Sequence, residues 1–116
     1  MTLQEIQEQI GEWSRKNFPN NKSYHPLLGA VEEIGELCHA HLKAEQGIRG
    51  TPEELREKKI DAVGDTIVYL ADYCEREGFD IQDSLERTWN KVKERDWTRN
   101  KKNGVASDPP LFWHPV

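Results

Sequence analysis

The spacing of apolar residues along the chain predicts four α-helices and no β-strand. The first runs from about Thr2 to Asn17 and the second from about Pro26 to Gln46. The third runs from Thr51 to Glu77, and the fourth from about Asp80 to Trp97. In each segment apolar residues recur at intervals of three and four, as they do on one face of a helix. We therefore predict an all-α, four-helix bundle-like fold.

Residues at the ends of these segments support the predicted bounds. The pairs Thr2–Glu5 and Thr51–Glu54 have the spacing of capping boxes, in which two helix-terminal N–H groups are satisfied reciprocally. A glycine follows each of the second and third segments, as is common after the last turn of a helix. The helix bounds are therefore predicted from polar residues as well as from periodicity.

Each predicted helix carries an apolar stripe, and we expect these stripes to form the core. The third helix is apolar nearly all round its middle, which is typical of a central, buried helix. The stripes comprise Leu3, Ile6, Ile10 and Trp13 in the first helix, Leu27, Val31, Ile34, Cys38 and His41 in the second, Ile60, Val63, Ile67, Leu70 and Cys74 in the third, and Ile81, Leu85, Trp89 and Val92 in the fourth.

The chain beyond the fourth helix has a different character. Residues 98–116 contain one glycine and three prolines and show no helical spacing, so we predict an extended C-terminal arm after an all-α domain of residues 1–97. Leu111, Phe112 and Trp113 are too apolar for a free tail. We expect the arm to pack on its own subunit or on a partner.

Composition restricts the class of protein. A chain of 116 residues with 35% hydrophobic and 32% charged residues fits one helical domain with charged outer faces. The core of so short a chain is small, and we expect that pairing with another chain completes it. No apolar run approaches the ~20 residues of a membrane span. The N-terminus lacks the layout of a signal peptide, so we expect a cytoplasmic protein with no membrane partner. Cys38 and Cys74 are then expected to be reduced core residues.

The net charge of −5 is unevenly distributed. Residues 1–86 hold 18 acidic against 9 basic residues, whereas residues 87–102 hold 7 basic against 2 acidic ones. A nucleic-acid polymer would require a broad basic face, so we expect no such partner. An acidic body followed by a basic segment suits a small polyanion held between metal ions and cationic side chains.

Two acidic clusters are the main candidates for chemistry. In the second helix Glu32 or Glu33 can converge with Glu36, because residues three or four apart are neighbours on a helix surface. In the third helix Asp61 and Asp65 are one turn apart. We expect helices two and three to bring these clusters together.

A divalent cation would make this arrangement stable. Asp65 lies on the helix that we predict to be most buried, where an unpaired carboxylate is costly. Carboxylate oxygens select hard cations, so we expect Mg²⁺, with Mn²⁺ as a substitute. The alternative is that the acids form a solvated face. For Glu33, Glu36 and Asp65 we favour metal binding, whereas for Asp61 the two interpretations are even.

The two clusters resemble a known family. The segment of residues 28–37, LGAVEEIGEL, is similar to the Glu-Glu-x-x-Glu helix of MazG-type nucleotide pyrophosphohydrolases, and residues 60–70, IDAVGDTIVYL, resemble the family's second acidic helix. The resemblance spans roughly residues 3–97. It implies the fold of the all-alpha NTP pyrophosphatase superfamily and Mg²⁺-dependent hydrolysis of a nucleoside triphosphate to the monophosphate and pyrophosphate.

The resemblance also implies a set of metal ligands. The family's ligand positions fall on Glu33, Glu36 and Asp65, and a fourth falls on Ala62, which cannot bind a metal. Asp61, one turn before Asp65, is the candidate replacement. This departure from the family pattern leaves open how many metal ions bind.

Further site residues are implied on the same basis. The family's Lys-x-x-x-Arg pair near the phosphates corresponds to Lys91 and Arg95, which would share a face of the fourth helix and stabilise the pyrophosphate leaving group. Glu32, as a spare carboxylate, would orient or deprotonate the attacking water. Tyr69 and Asn90 are candidate residues of the substrate pocket.

Other interpretations stay open at this point. Family resemblance implies a homodimer or homotetramer, but it also admits a related enzyme such as a phosphoribosyl-ATP pyrophosphohydrolase. A non-catalytic binding or assembly module of the same fold is favoured by Ala62. A di-iron bundle is a weaker alternative, because the two Glu-x-x-His motifs that it requires are not both present in the sequence.

Overall fold

A computed structural model describes residues 1–106, and all regular structure within them is α-helical. The helices are α1 (Leu3–Asn17), α2 (Tyr24–Gln46), α3 (Pro52–Glu77) and α4 (Ile81–Val92). The predicted all-α fold is confirmed for this part of the chain. The residues cluster into two compact units, a first of Met1–Ile81 and a second that begins at Gln82.

Both predicted capping boxes form. The side chains of Thr2 and Thr51 each accept a hydrogen bond, at 3.1 Å, from the backbone N–H group three residues later. Helices α2 and α3 end at Gly47 and Gly78, whose φ angles of 69° and 79° lie in the left-handed region. Glycine adopts this region without a steric cost, so the predicted ends of these helices are confirmed.

Helix α3 packs against both α2 and α1. Gly29 of α2 lies against Tyr69 near the end of α3, whereas Glu36 shares a cavity with Lys58 near its start, so α2 and α3 run antiparallel. The buried apolar side chains within residues 1–106 are mostly small: Ala30, Ala40, Leu55, Ala62, Ala71 and Cys74. Alanine positions therefore make up most of this buried set.

The predicted core stripes are wrong for the single chain. Of their residues only Cys74 is buried, and five are half-buried: Leu3, Ile6, Ile10, Leu70 and Ile81. The α2 side chains from Leu27 to Ile34 in the stripe are 41–62% exposed, and those of Ile60, Val63 and Ile67 in α3 are 43–50% exposed. Because α2 and α3 direct alanines toward each other, their large aliphatic residues fall on the flanks. Helix α3 is therefore not buried all round, and Cys38 is an exposed free cysteine.

A buried polar network joins α1 to α3. The Ser14 hydroxyl donates to Asp72 Oδ2 at 2.7 Å, and Arg76 Nε donates to Asp72 Oδ1 at 3.0 Å. The Arg76 guanidinium also donates to the backbone carbonyls of Phe18, at 3.2 Å, and Asn21, at 2.6 Å. The connection between α1 and α2 is therefore fastened to α3 by one side chain.

A second polar network joins α1 to the end of α3 and to the residues that follow it. Gln7 donates to Glu75 Oε1 at 3.0 Å and to the Phe79 carbonyl at 2.9 Å, and its own carbonyl accepts from the Ile81 backbone at 2.7 Å. Arg15 pairs with Glu75 at 3.1 Å. No buried side-chain nitrogen or oxygen in the described residues lacks a hydrogen-bond partner.

All of α4 after Ile81 belongs to the second unit, and the helix ends at Val92 and not at Trp97 as predicted. The described part of the predicted arm, residues 98–106, forms turns rather than extended backbone, and the Asp96 N–H group donates to the Gly104 carbonyl at 2.7 Å. A hydrogen bond from the Thr98 hydroxyl lowers the pKa of Asp96, and backbone N–H groups lower it further.

The apolar side chains of α4 are not buried. Leu85 and Trp89, which we predicted to face the core, are exposed, and the same holds for Val92. The predicted packing of Leu111, Phe112 and Trp113 falls outside the described residues. No helix within residues 1–106 has both the length and the apolar character needed to cross a membrane.

Candidate functional site

The two acidic clusters lie close together across the α2–α3 contact. Partial burial raises the pKa of Glu33 above its ordinary value of 4.5, and the negative charges of Asp65, Glu36 and Glu32 raise it further. Asp65 is the first of these charges and belongs to the other helix. The carboxylates of Glu33 and Asp65 therefore form an interhelical pair of like charges.

These carboxylates border a cavity, which we call the acid cavity. It has a volume of about 310 Å³, and α2 and α3 supply its walls. Its lining residues are Glu33, Glu36, His39, Ala40, Lys58, Asp61, Ala62 and Asp65. The four acids that we selected as metal ligands thus share one cavity with a lysine. Their binding of a metal stays a prediction.

The acids are not clustered tightly enough to enclose an ion. Within residues 1–106, no group of three or more His, Cys, Asp or Glu side chains has an arrangement that could hold a metal. Mg²⁺, however, is commonly bound by one or two carboxylates, with substrate phosphates and water completing its shell. Glu33 and Asp65 together provide donors of that kind. Ala62 is 3% exposed, because it lies in the α2–α3 contact.

One step of the sequence reasoning was wrong. We expected Asp65 to be buried, but it is exposed, because the flank of α3 that carries it is not covered by another helix of the first unit. The half-buried acid is Glu33. The carboxylate whose negative charge a cation would stabilise is therefore that of Glu33 rather than that of Asp65.

A second cavity, which we call the aromatic pocket, adjoins the acid pair. It has a volume of about 450 Å³ and is lined by Ile10, Trp13, Phe18, Asn21, His25, Pro26, Gly29, Glu32, Glu33, Asp65, Val68, Tyr69 and Asp72. The rings of Trp13 and Phe18 meet edge to face, with centroids 5.8 Å apart. Glu33 and Asp65 border both cavities.

Three helices and one connection build the aromatic pocket. Trp13 comes from α1, Phe18 from the connection that Arg76 fastens, and Tyr69 from α3. The Tyr69 ring lies so close to Gly29 that a β-carbon there would overlap it. Gly29 thus allows the tyrosine ring to pack directly against the backbone of α2. The predicted pocket residue Tyr69 and the spare carboxylate Glu32 both lie in this pocket, and their roles stay predictions.

Sequence reasoning missed several residues of these cavities. Trp13 was assigned to the core of α1, and Phe18 only to a helix break, and nothing in their spacing indicates that both line one pocket. His25 and Lys58 were not selected. Lys58 could have been found from its position one turn before Asp61–Ala62, since residues three or four apart share a helix face.

The remaining predicted residues lie in the second unit. Lys91 and Asn90 are exposed on the last turn of α4. Arg95 follows the end of the helix, where its N–H group donates to the Val92 carbonyl at 3.1 Å. The prediction that Lys91 and Arg95 share one helix face is therefore wrong, because α4 ends between them. Their binding of phosphate stays a prediction.

Comparison with known proteins gives no match. No protein-family model, no curated protein and no solved structure matches this chain.

Proposed function

We propose that this protein, on a MazG-type fold, hydrolyses a nucleoside triphosphate to the monophosphate and pyrophosphate with the help of Mg²⁺. The observation that carries the proposal is the position of Glu33 and Asp65. They come from two helices and border both the acid cavity and the aromatic pocket. A nucleotide has these same two parts, since a flat aromatic base is joined through a sugar to a chain of anionic phosphates.

The aromatic pocket suits the base. Trp13, Phe18 and Tyr69 offer ring faces and edges, and aromatic side chains bind flat rings by stacking or edge-to-face contact. A volume of about 450 Å³ falls within the usual range for small-molecule sites. The pocket has Glu32, Glu33 and Asp65 in its wall, so a bound base would place its phosphates toward the acid cavity.

The acid cavity suits the triphosphate only if a cation is present, because four carboxylates repel phosphate. Glu33 and Asp65 would hold Mg²⁺, and Glu36 and Asp61 line the same cavity. When bound, Mg²⁺ supplies positive charge beside the phosphate oxygens. Lys58 is the cation that the cavity itself provides, and it would neutralise charge on the leaving pyrophosphate.

The attacking water requires a base. Glu32 lies in the wall of the aromatic pocket beside Glu33 and is exposed, so it can reach water without being desolvated. In the proposed reaction its carboxylate accepts a proton from the water as the water oxygen attacks the α-phosphorus. The bond from that phosphorus to the oxygen bridging to the β-phosphorus breaks, and pyrophosphate leaves with the electron pair. Binding in the aromatic pocket would orient the substrate for this attack.

One observation favours a second candidate function, which is a non-catalytic module that binds nucleotide without hydrolysing it. Ala62 occupies a position where the resembled family has an acid, and the described residues assemble no group of three metal ligands. Nucleotide binding without turnover would support this candidate. Turnover of phosphoribosyl-ATP alone would point to the related pyrophosphohydrolase.

The proposal is tested by supplying ribo- and deoxyribonucleoside triphosphates with Mg²⁺ and measuring pyrophosphate release. We expect release from at least one substrate, and we expect Asp65→Asn to reduce it by about 100-fold or more, a loss typical of removing a group that stabilises transition-state charge. Glu57→Gln is the matched control, since Glu57 is an exposed acid of α3 outside both cavities.

Two outcomes would overturn the assignment. Pyrophosphate release by the Asp65→Asn protein at the wild-type rate would show that the acid pair is not the site. Absence of release from every triphosphate, with or without Mg²⁺ or Mn²⁺, would exclude the proposed reaction. Far-UV circular dichroism of each variant confirms that its helix content is unchanged.

A further inference from the structure

The aromatic pocket has a buried acidic group that the proposed reaction does not use. Asp72 lines the pocket, although this residue is only 8% exposed. The other acidic residues in the described wall are more accessible, since Glu32 and Asp65 are exposed and Glu33 is half-buried. A ligand in the pocket therefore meets, at Asp72, a carboxylate that water reaches poorly.

Two hydrogen bonds hold the Asp72 carboxylate in place without using all of its acceptor sites. Its Oδ2 accepts from the Ser14 hydroxyl at 2.7 Å, and its Oδ1 accepts from Arg76 Nε at 3.0 Å. A carboxylate has about four acceptor sites and no donor. These two bonds leave acceptor sites for a ligand, and only an N–H or O–H group of the ligand can use them.

Arg76 also fixes the wall of the pocket around Asp72. Its guanidinium donates to the Ser14 hydroxyl at 2.6 Å, and to the carbonyls of Asn21 and Phe18 at 2.6 and 3.2 Å. Asn21 and Phe18 line the aromatic pocket together with Asp72. The buried carboxylate and an aromatic residue beside it are thus bonded to one side chain, so Asp72 cannot turn away from a ligand that fails to match it.

The spacing of residues along α3 places Asp72 at the base end of a bound nucleotide. Asp65, Val68, Tyr69 and Asp72 all line the pocket and share one face of the helix. Asp65 also borders the acid cavity, where the proposed function places the phosphates. Asp72 is two turns further along α3, which is about 10 Å of helix rise. This distance is comparable with the length of a nucleoside, so Asp72 meets the edge of the base that is farthest from the sugar.

We propose that Asp72 selects nucleotides whose base carries an amino group. This inference rests on the proposed function, since it takes the phosphates to lie at the acid cavity. Cytosine, adenine and guanine carry an exocyclic amino group, whereas uracil and thymine carry carbonyl oxygens instead. An amino group donates a hydrogen bond to Asp72. A carbonyl oxygen would face the buried carboxylate with no hydrogen between the two acceptors, which is unfavourable.

Cytosine and uracil form the matched pair for the test, because they have nearly the same size and differ at the amino group. The full chain is given the cytidine or the uridine triphosphate with Mg²⁺, in whichever of the ribose and deoxyribose forms it accepts. The measured quantity is kcat/KM for pyrophosphate release. We expect the cytosine nucleotide to be favoured by at least about tenfold, as is typical when a hydrogen bond to a buried charged group is lost.

Nucleoside binding provides a readout that does not depend on hydrolysis. Titration calorimetry of the full chain with cytidine and with uridine, in buffer without metal, tests the aromatic pocket alone, because neither nucleoside has a phosphate. We expect cytidine to bind at least about tenfold more tightly than uridine. Both wild-type comparisons require no variant to fold.

Asp72→Asn changes one acceptor into a donor at almost constant size. The amide oxygen still accepts from Arg76, and the amide NH₂ group can donate to the carbonyl oxygen of uracil. We expect the preference for cytosine to disappear or reverse in Asp72→Asn. It should be unchanged in the control Glu57→Gln, because Glu57 is an exposed acid of the same helix outside both cavities.

The outcomes separate this inference from the proposed hydrolysis. Equal kcat/KM values for the two triphosphates, with equal binding of cytidine and uridine, would overturn the role of Asp72 and leave the hydrolysis in place. Tighter binding of cytidine without turnover of any triphosphate would support the role of Asp72 and exclude the hydrolysis. Binding of neither nucleoside overturns the inference, and so does a cytosine preference that persists in folded Asp72→Asn.

Discussion

Glu33 is the residue at which the electrostatics of the site are concentrated. Its raised pKa means that the folded protein binds a proton at this side chain more tightly than the unfolded chain does. The free energy of unfolding therefore decreases as the pH rises above the ordinary value of 4.5 and the folded carboxyl ionises. A cation beside Glu33 would reverse this effect, because it favours the ionised form.

We predict that Glu33→Gln raises the thermal midpoint in metal-free buffer at pH 7, since it removes the unfavourable negative charge. The difference from the wild type should disappear below pH 4.5, where the glutamate is protonated in the folded and the unfolded chain alike. Thermal melts followed by circular dichroism at the two pH values measure this. Equal midpoints at pH 7, or a lower midpoint for Glu33→Gln, would contradict the assigned electrostatics.

At this scale the sequence identified the acids but not their surroundings. Residues three or four apart on a helix must be neighbours, so the grouping of Glu33 with Glu36 and of Asp61 with Asp65 could be predicted. Which acid is half-buried depends on how two helices are rotated against each other. Lys58 and Trp13 reach the cavities for the same reason, and periodicity within one helix does not determine that rotation.

The helices themselves were predictable where their ends carry a chemical signal. Thr2 and Thr51 satisfy N–H groups that the helix cannot, and Gly47 and Gly78 adopt a backbone conformation that favours glycine. The end of α4 has no such residue. Its apolar spacing continues toward Trp97, but the chain turns after Val92 and closes a loop from Asp96 to Gly104.

The attachment of α1 to α3 was not predicted, since it depends on polar side chains. Asp72 is 8% exposed and is bonded to both Ser14 and Arg76. We predict that Asp72→Ala lowers the free energy of unfolding by about 3 kcal/mol, because it leaves the Arg76 charge buried without its partner. Urea denaturation followed by circular dichroism measures this change.

The control for this prediction is Glu77→Ala, which removes an exposed carboxylate near the end of the same helix. Its effect should stay within about 0.5 kcal/mol, as is usual for surface substitutions. An Asp72→Ala protein as stable as this control would mean that the network contributes little to holding α1 against α3.

For the whole molecule, the hydrophobic pattern predicted that each helix has an apolar face to be covered. It did not predict whether another helix of the same chain or another molecule covers that face. The stripes of α2 and α3 were assigned to the core of one chain, since the sequence contains four amphipathic helices that could surround one centre. In the structure the alanines of these two helices are buried, and the larger aliphatic residues lie on an exposed flank. A helical period is the same for an intramolecular core as for a subunit contact.

The family resemblance implies a homodimer or homotetramer. On that expectation we predict that the thermal midpoint of the wild type rises with protein concentration, because mass action favours a folded assembly over separate unfolded chains. Calorimetry or dye-based melting over a hundredfold dilution series provides the measurement. A wild-type midpoint that is constant over the series would contradict the expected self-association of the chain.

The contact between Gly29 and Tyr69 makes the size of the aromatic pocket depend on a single backbone position. Any larger residue at position 29 must push the phenol ring aside, and this displacement needs no change in the carboxylates. If the protein binds nucleotides as proposed, a small library at position 29 would be the starting point for changing its base preference. Such a library would resize the aromatic pocket and leave the carboxylates of the acid cavity unchanged.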